Sequence, residues 1–195
     1  MNLRRIRLVL WALVAVALAG VLALQWAGRR REPSQAAFRP DFALQDAAGR
    51  TYGMEDFRGR FALVFFGFTN CPDVCPTTMS EVALVMDDLG SEADKVQPLF
   101  ISIDPQRDRG QGLSEYLAAF HPAILGLAGD GAATQAAAES FRIHFEREES
   151  PAAPDGYTMS HSPGLFLIGP DGEWLRQFPH ETPAAGILAD IQERI

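Results

Sequence analysis

Residues 61–76 read FALVFFGFTNCPDVCP, an apolar run that leads directly into a pair of cysteines. The run Phe61–Phe68 is apolar at alternate and intervening positions alike, which predicts a central strand covered on both faces of its sheet. Cys71 and Cys75 are the two cysteines of the chain, and the pattern after them predicts a helix from Thr77 to Leu89. Two sulfurs at a strand-to-helix turn can bind a soft metal, cycle between dithiol and disulfide, or do both.

The rest of the chain alternates short apolar stretches with helix-like ones. Their order is a β-hairpin, then βαβαβα, then a second hairpin and a final helix, which predicts an α/β layered sheet with right-handed crossovers. A dithiol at the first strand-to-helix turn of such an open sheet indicates a thioredoxin-like fold with an N-terminal β-hairpin extension. The patterns predict strands at 42–44, 51–52, 97–103, 124–127, 165–168 and 174–178, helices at 113–120, 132–141 and 183–195, and a polar loop at 146–155.

The N-terminal segment, residues 1–31, has the composition of a membrane anchor. Leu8–Ala27 is almost wholly apolar and is flanked by arginines on both sides. Such a stretch, at 1.5 Å per helical residue, spans the roughly 30 Å hydrocarbon core of a bilayer. We expect one transmembrane helix, a linker at 32–40 and a single domain at 41–195. The alternative is a cleaved signal peptide, because Ala17-Leu18-Ala19 resembles a signal-peptidase site.

Charge is unevenly distributed along the chain. The net charge of −8 comes from 17 basic and 25 acidic residues. Residues 1–31 hold six arginines and no acid, so residues 32–195 carry 11 basic and 25 acidic residues, a balance of −14. This balance argues against nucleic acid as a partner. The cysteine chemistry favours a place outside the cytoplasm, so we expect a single-pass protein of the inner membrane whose C-terminal domain faces the periplasm.

The cysteine spacing and one histidine narrow the chemistry. Three residues separate Cys71 from Cys75, one more than in the common redox motif, so both sulfurs can converge on an ion and can still form a disulfide. Two cysteines are too few for an ordinary zinc site or cluster without histidines. Among the four histidines, His161 stands in the loop before the strand at 165–168, which faces the dithiol turn in a thioredoxin-like sheet. One imidazole there completes a Cys2His set of the kind that suits Cu(II), although lone histidines are more often structural.

Four motifs together resemble the Sco/SenC proteins, membrane-anchored copper chaperones of cytochrome c oxidase assembly. They are Phe68-Thr69-Asn70-Cys71-Pro72-Asp73-Val74-Cys75-Pro76, Ser102-Ile103-Asp104-Pro105-Gln106-Arg107-Asp108, Tyr157-Thr158-Met159-Ser160-His161-Ser162 and Gly169-Pro170-Asp171-Gly172.

The resemblance implies that one copper, Cu(I) or Cu(II), is held by Cys71, Cys75 and His161. It also implies delivery of that copper to the dinuclear copper site of cytochrome c oxidase subunit II. Such a protein is a metallochaperone and not a turnover enzyme. Further expected partners are a periplasmic thiol reductase, other copper carriers and the membrane, through residues 8–27.

Three features of the matching motifs leave questions open. Asp104, Arg107 and Asp108 are expected to orient the cysteine loop or to present a docking surface, and a capped, salt-bridged loop is an equally good interpretation. Ser160 stands where many relatives carry an aspartate before the histidine. Pro163 follows Ser162 at the position of the cis-proline of thioredoxins, so we predict a cis bond there.

Other functions compete with the copper chaperone. The main alternative is a thiol–disulfide reductase with a redox-active disulfide between Cys71 and Cys75, in which Cys71 is the nucleophile and His161 either is dispensable or tunes the basicity of the thiolate. A redox sensor or peroxidase-like protein fits the cysteine motif less well. A purely structural disulfide is disfavoured, because the closed loop is short and its closure contributes little. Copper and the disulfide exclude each other, since the metal needs both thiolates.

Overall fold

The computed structural model describes Arg7, residues 11–14, Val16, residues 18–20 and residues 37–195. The chain forms two compact units, Met1–Phe38 and Arg39–Ile195. In the part of the chain that is described, no helix is both long and apolar enough to cross a membrane. Much of the predicted anchor Leu8–Ala27 lies outside the described residues, so the anchor stays a prediction, as do the segment boundaries at 31 and 40.

The second unit consists of nine strands, four α-helices and three short 3-10 helices within residues 37–195. The strands are β1 (Leu44–Gln45), β2 (Thr51–Tyr52), β3 (Phe61–Gly67), β4 (Val96–Ser102), β5 (Leu125–Leu127), β6 (Phe145–Glu149), β7 (Tyr157–His161), β8 (Leu165–Ile168) and β9 (Trp174–Phe178). The helices are α1 (Val74–Leu89), α2 (Gln111–Ala118), α3 (Gly131–Ser140) and α4 (Ala184–Gln192), and the 3-10 helices are Met54–Phe57, Gly90–Lys95 and Pro154–Gly156.

A five-stranded mixed sheet forms the centre, in the order β5-β4-β3-β8-β9. β3, β4 and β5 run parallel, whereas β8 and β9 are antiparallel to their neighbours. Every residue of β3 is buried, as its continuous apolar sequence predicts. β1 and β2 form the expected N-terminal hairpin. The α/β class is thereby confirmed, and β3 is the central strand that delivers the cysteine loop at its carboxyl end.

Successive side chains of β3 face opposite sides of the sheet and divide the core in two. Phe65 faces the side on which Phe100 of β4 lies, with a ring-to-ring distance of 5.9 Å. Phe66 faces the other side, where its ring lies 5.1 Å from that of Phe141, just after α3. Leu113 of α2 belongs to the Phe65 side, because it packs where a side chain on Gly126 would point. The cysteine pair also belongs to that side, as the site geometry below shows.

Four predictions about local structure are wrong. Residues 145–149 form strand β6 and not part of a polar loop. Residues 157–161 form strand β7 and not the loop in which His161 was expected; β6 and β7 pair in a separate two-stranded sheet. Helix α1 begins at Val74, three residues before the predicted start, so Cys75 lies in its first turn. The Ser162-Pro163 bond is trans, as are all peptide bonds among the described residues. The remaining predicted elements are present with ends shifted by a few residues.

Candidate metal centre

The cysteine loop connects the carboxyl end of β3 to the first turn of α1. The N–H of Cys71 donates to the carbonyl of Phe68 over 3.3 Å, which closes a turn directly after the strand. The N–H of Cys75 donates to the sulfur of Cys71 over 3.4 Å. Both cysteines are free thiols; Cys71 is half-buried and Cys75 is fully buried. The loop therefore brings the two sulfurs together and exposes only the first.

Gly67, the last residue of β3, leaves the space that the Cys75 sulfur fills. A Cβ built on Gly67 would lie 2.9 Å from that sulfur and 2.7 Å from Cε1 of Phe65. It would also lie 3.0 Å from Cε2 of Phe100. At separations this short at least one of the three groups would have to move, so glycine is the residue that fits without rearrangement of the core. Cys75 therefore packs against the rings of Phe65 and Phe100. These two rings and that of Phe68 line the site and are here called the aromatic wall.

The pKa values of the two thiols are shifted in opposite directions. The pKa of Cys71 is lowered to about 5, chiefly because the Cys75 thiol donates a hydrogen bond to its sulfur. The N–H groups of Asp73 and Cys75 and the nearby His161 add to this lowering, while burial opposes it. The pKa of Cys75 is raised, because its proton is held in that hydrogen bond and burial disfavours its charge. At neutral pH the pair is therefore a thiolate at Cys71 beside a protonated Cys75.

Alkylation of Cys71 should report this difference directly. Only the thiolate reacts, so the rate with iodoacetamide is expected to be flat around neutral pH and to fall as the pH drops through about 5. In Cys75→Ala the main hydrogen-bond donor is gone, so the midpoint of the pH profile is expected to rise toward the ordinary value of about 8.5. Peptide mass spectrometry would assign the modified residue. A wild-type midpoint already near the ordinary value would contradict the described thiolate.

His161 is the last residue of β7 and lies against the aromatic wall beside the cysteines. Its ring meets Phe65 and Phe68 edge-on, with ring-to-ring distances of 6.1 and 6.3 Å. Nδ1 lies 3.1 Å from the carbonyl oxygen of Ser162. A carbonyl can only accept, so Nδ1 carries the proton and Nε2 offers its lone pair. Burial lowers the pKa of His161, which keeps the imidazole neutral and available as a ligand at neutral pH.

These three side chains share one region without forming a finished metal cage. Within the described residues, no group of three or more His, Cys, Asp or Glu side chains is gathered closely enough to hold an ion. Cys71 and Cys75 are in contact, whereas His161 reaches them through the rings of Phe65 and Phe68 and through its electrostatic effect on Cys71. The predicted ligand set is therefore assembled in part.

The acids of the second motif lie inside the protein. Asp104 is 3% and Asp108 1% exposed, so neither presents a docking surface. Asp108 accepts hydrogen bonds from Thr69, in the cysteine loop, and from the Ser102 hydroxyl. Asp104 pairs with Arg107 and accepts from the hydroxyl of Tyr157 over 3.0 Å. These contacts agree both with groups that orient the cysteine loop and with a capped, salt-bridged loop.

The family follows from the comparison with known proteins. A family model described as SCO1/SenC matches residues 30–195, which is most of the chain. The chain belongs to the SCO1/SenC family. The bovine (Bos taurus) SCO2 homolog, named as mitochondrial, is 36% identical over 202 residues, covering 98% of this chain and 76% of the bovine protein.

Solved structures of SCO1/SenC proteins show the same fold. The structure of Bradyrhizobium japonicum ScoI with copper bound has a TM-score of 0.74 and 34% identity, covering 82% of this chain and 100% of that one. The crystal structure of yeast Sco1 with copper bound has a TM-score of 0.72 and 32% identity, covering 80% and 87% of the two chains. Both are similar to this chain, and both hold copper.

Two tyrosines near the site were not singled out in the sequence. Tyr157 is buried at the start of β7, with the guanidinium carbons of Arg107 and Arg147 at 3.8 and 3.7 Å from its ring centre. Tyr116 of α2 stacks edge-on against Phe100, and burial beside both cysteines raises its pKa to about 12. Tyr157 stands inside a quoted motif, but no sequence signal marks Tyr116.

The other three histidines take no part in the site. Nδ1 of His121 accepts from the N–H of Ala123, which makes it a structural histidine. His144 is exposed on the residue before β6, and His180 lies in the turn between β9 and α4. The choice of His161 as the functional histidine thus rests on position: it is the one whose ring lies against Phe65 and Phe68, beside the cysteine loop.

Proposed function

We propose that this protein is a membrane-anchored copper chaperone with a thioredoxin-like domain. It binds one copper through Cys71, Cys75 and His161 and delivers it to the dinuclear copper site of cytochrome c oxidase subunit II. The observation that carries this proposal is the thiolate–thiol pair beside a neutral imidazole, at the carboxyl end of the central strand. The copper-bound relatives described above support copper as the cargo, and the recipient follows from the family resemblance.

The donor set fits copper. Thiolate sulfur and imidazole nitrogen are ligands that copper prefers, and hard cations prefer oxygen. Cys71 supplies a ready thiolate at a half-buried position, so it is the first sulfur that an incoming ion meets. Nε2 of His161 keeps its lone pair because the other ring nitrogen is held by the Ser162 carbonyl. Copper completes the set by drawing together groups that already share one aromatic wall.

Cys75 makes the bound copper releasable. A metal binds the thiolate form, so copper must displace the proton of Cys75. The pKa of that thiol is raised by its hydrogen bond to Cys71 and by burial, which makes the proton a strong competitor. Copper binding should therefore strengthen as the pH rises. Such competition assists a protein that must release its copper, because the return of the proton to the Cys75 sulfur weakens copper binding.

The proposal includes the cellular setting. We infer that residues 8–27 anchor the chain in the inner membrane and that the C-terminal domain works in the periplasm. There the free dithiol tends to oxidise, and a thiol reductase must restore it before copper is loaded. Other copper carriers then supply the ion.

A thiol–disulfide reductase is the second candidate. It is favoured by one observation, the lowered pKa and partial exposure of Cys71, which are the properties of an attacking thiolate. In this role the protein would keep the copper-ligand cysteines of its target reduced.

An anaerobic Cu(II) titration of the protein tests the proposal. The reduced protein is expected to take up one copper, with sulfur-to-copper charge-transfer bands and an EPR signal. The same protein with Cys71 and Cys75 joined in a disulfide is the control and should take up none, since both thiolates are required. Rapid oxidation to the disulfide with no retained copper would overturn the chaperone and favour the reductase.

A further inference from the structure

The loop after β4 contacts Thr69, in the cysteine loop, and Tyr157, on the strand that carries His161. We propose that its segment Asp104–Asp108, here called the bracket, is a positioning element that sets the separation between the cysteine pair and His161. This inference rests on the proposed function for its purpose, but its contacts belong to the protein alone. Asp108, at one end of the bracket, forms hydrogen bonds to the cysteine loop. Asp104 and Arg107 contact β7, the strand that carries His161.

The cysteine arm of the bracket is Asp108. Its carboxylate accepts from the N–H of Thr69 over 3.0 Å and from the Thr69 hydroxyl over 2.5 Å. It also accepts from the hydroxyl of Ser102, the last residue of β4, over 2.9 Å. Three donors on one buried carboxylate fix the chain two residues before Cys71. The cysteine loop is thereby fastened to β4 as well as to its own strand.

The histidine arm consists of Asp104 and Arg107. Asp104 accepts from the Tyr157 hydroxyl, at 3.0 and 3.3 Å for its two oxygens, and pairs with Arg107. The Nη1 atom of Arg107 donates to the carbonyl of Tyr157 over 3.3 Å, and its guanidinium carbon lies 3.8 Å from the ring centre. The first residue of β7 is therefore held by its ring, its hydroxyl and its backbone at once.

β7 needs such an anchor because it is not part of the central sheet. It pairs with β6, and the two form a sheet of their own. Tyr157 and His161 lie four residues apart on this strand, so their side chains share one face. A strand held at Tyr157 presents His161 at a fixed distance from β4. Since the same short segment also fixes Thr69, movement of one arm is transmitted to the other.

Single-atom variants separate the two arms. Tyr157→Phe removes the hydroxyl that Asp104 accepts from and keeps the ring between its arginines. Thr69→Val removes the hydroxyl that Asp108 accepts from and keeps the shape of the side chain. Thr158→Val, at the next position of β7 and on its opposite face, is the matched control. All are made in the full chain, and His161→Ala serves as the reference for a lost ligand.

Amide hydrogen exchange of the copper-free protein tests the bracket without any metal. Each arm variant is expected to speed exchange severalfold both in residues 69–71 and in β7, because the bracket joins them. Acceleration confined to the region that carries the substitution would overturn the inference, as would rates equal to those of Thr158→Val.

Cu(II) affinity is the second readout. Removal of a group that orients a metal ligand typically costs 10- to 100-fold in affinity, so we expect about that loss in Tyr157→Phe and in Thr69→Val. The double variant should lose less than the product of the two single losses, because one broken arm already frees the spacing. Wild-type affinity in both arm variants would overturn the bracket. If the wild type itself binds no copper, the proposed function fails, and hydrogen exchange alone decides the bracket.

Discussion

His161→Ala is expected to bind Cu(II) at least about 100-fold more weakly than the wild type, while its dithiol stays functional. Substitution of a group that only orients a metal ligand typically lowers metal affinity 10- to 100-fold, and removal of the ligand itself should lower it by more. The substitution leaves two sulfurs, which cannot complete the Cys2His set that suits Cu(II). Competitive titration against a chelator of known affinity, with the EPR spectrum of bound Cu(II), measures the loss.

The hairpin of β6 and β7 offers a matched control for this variant. His144 stands on the residue before β6, is exposed, and donates its backbone N–H to the Ser162 hydroxyl over 3.2 Å. His144→Ala removes an imidazole from the same hairpin without touching the aromatic wall, so its copper affinity should equal that of the wild type. Full copper affinity in His161→Ala would show that the three-ligand site is wrong.

The same variant separates the two candidate functions. Disulfide exchange depends on the Cys71 thiolate, whose lowered pKa comes mainly from the Cys75 thiol, with His161 a minor contributor. A reductase should therefore keep nearly all of its exchange rate in His161→Ala, whereas a copper chaperone should fail to load. Loss of loading with intact exchange would mean that the histidine serves the metal and not the thiol chemistry.

The centre of the fold was predictable because its signals are local. A continuous apolar run is typical of a strand covered on both faces, and Phe61–Gly67 is such a strand. Gly90 directly follows the last residue of α1 and adopts a positive φ of 53°, which favours glycine. Two cysteines separated by three residues, directly after such a strand, could only meet at its carboxyl end.

The histidine strand was less predictable because its stability is not local. β6 reads FEREE, with four charged residues in five, and such a sequence alone is typical of a loop. It forms a strand because β7 pairs with it and because Arg147 stacks on the Tyr157 ring, contacts that no window of sequence contains. The hydrogen bond that the Tyr157 hydroxyl donates to Asp104 likewise joins residues 53 positions apart.

Two local predictions failed for different reasons. Proline disfavours the helical conformation of the residue before it, which predicted a helix starting after Pro76. In the structure α1 begins at Val74, and Cys75 takes a helical place wedged against Gly67, with its N–H directed at the Cys71 sulfur. The cis-proline was inferred by analogy with thioredoxins, and the trans bond shows that this part of the analogy does not extend to this chain.

Gly67→Ala is expected to disrupt the proposed metal site by displacing the side chains that pack against Gly67. The added methyl would lie 2.7 Å from Phe65 Cε1, 2.9 Å from the Cys75 sulfur and 3.0 Å from Phe100 Cε2, so at least one of these groups must move. Overpacking of this kind costs about 1–3 kcal/mol of folding free energy. Because Phe65 also contacts His161, displacement of its ring moves two proposed ligands at once. Urea unfolding and Cu(II) titration measure the two effects.

Gly126→Ala separates loss of stability from loss of the site. A Cβ on Gly126 of β5 would lie 2.7 Å from Leu117 and 2.9 Å from Leu113, so it overpacks the same face of the same sheet away from the cysteines. Both variants should unfold at lower urea, but only Gly67→Ala should lose copper and alter the pH profile of Cys71 alkylation. The close approach of Cys75 to β3 would then be a requirement of the site. Equal copper affinity in the two variants would instead mean that Cys75 does not depend on the space beside Gly67.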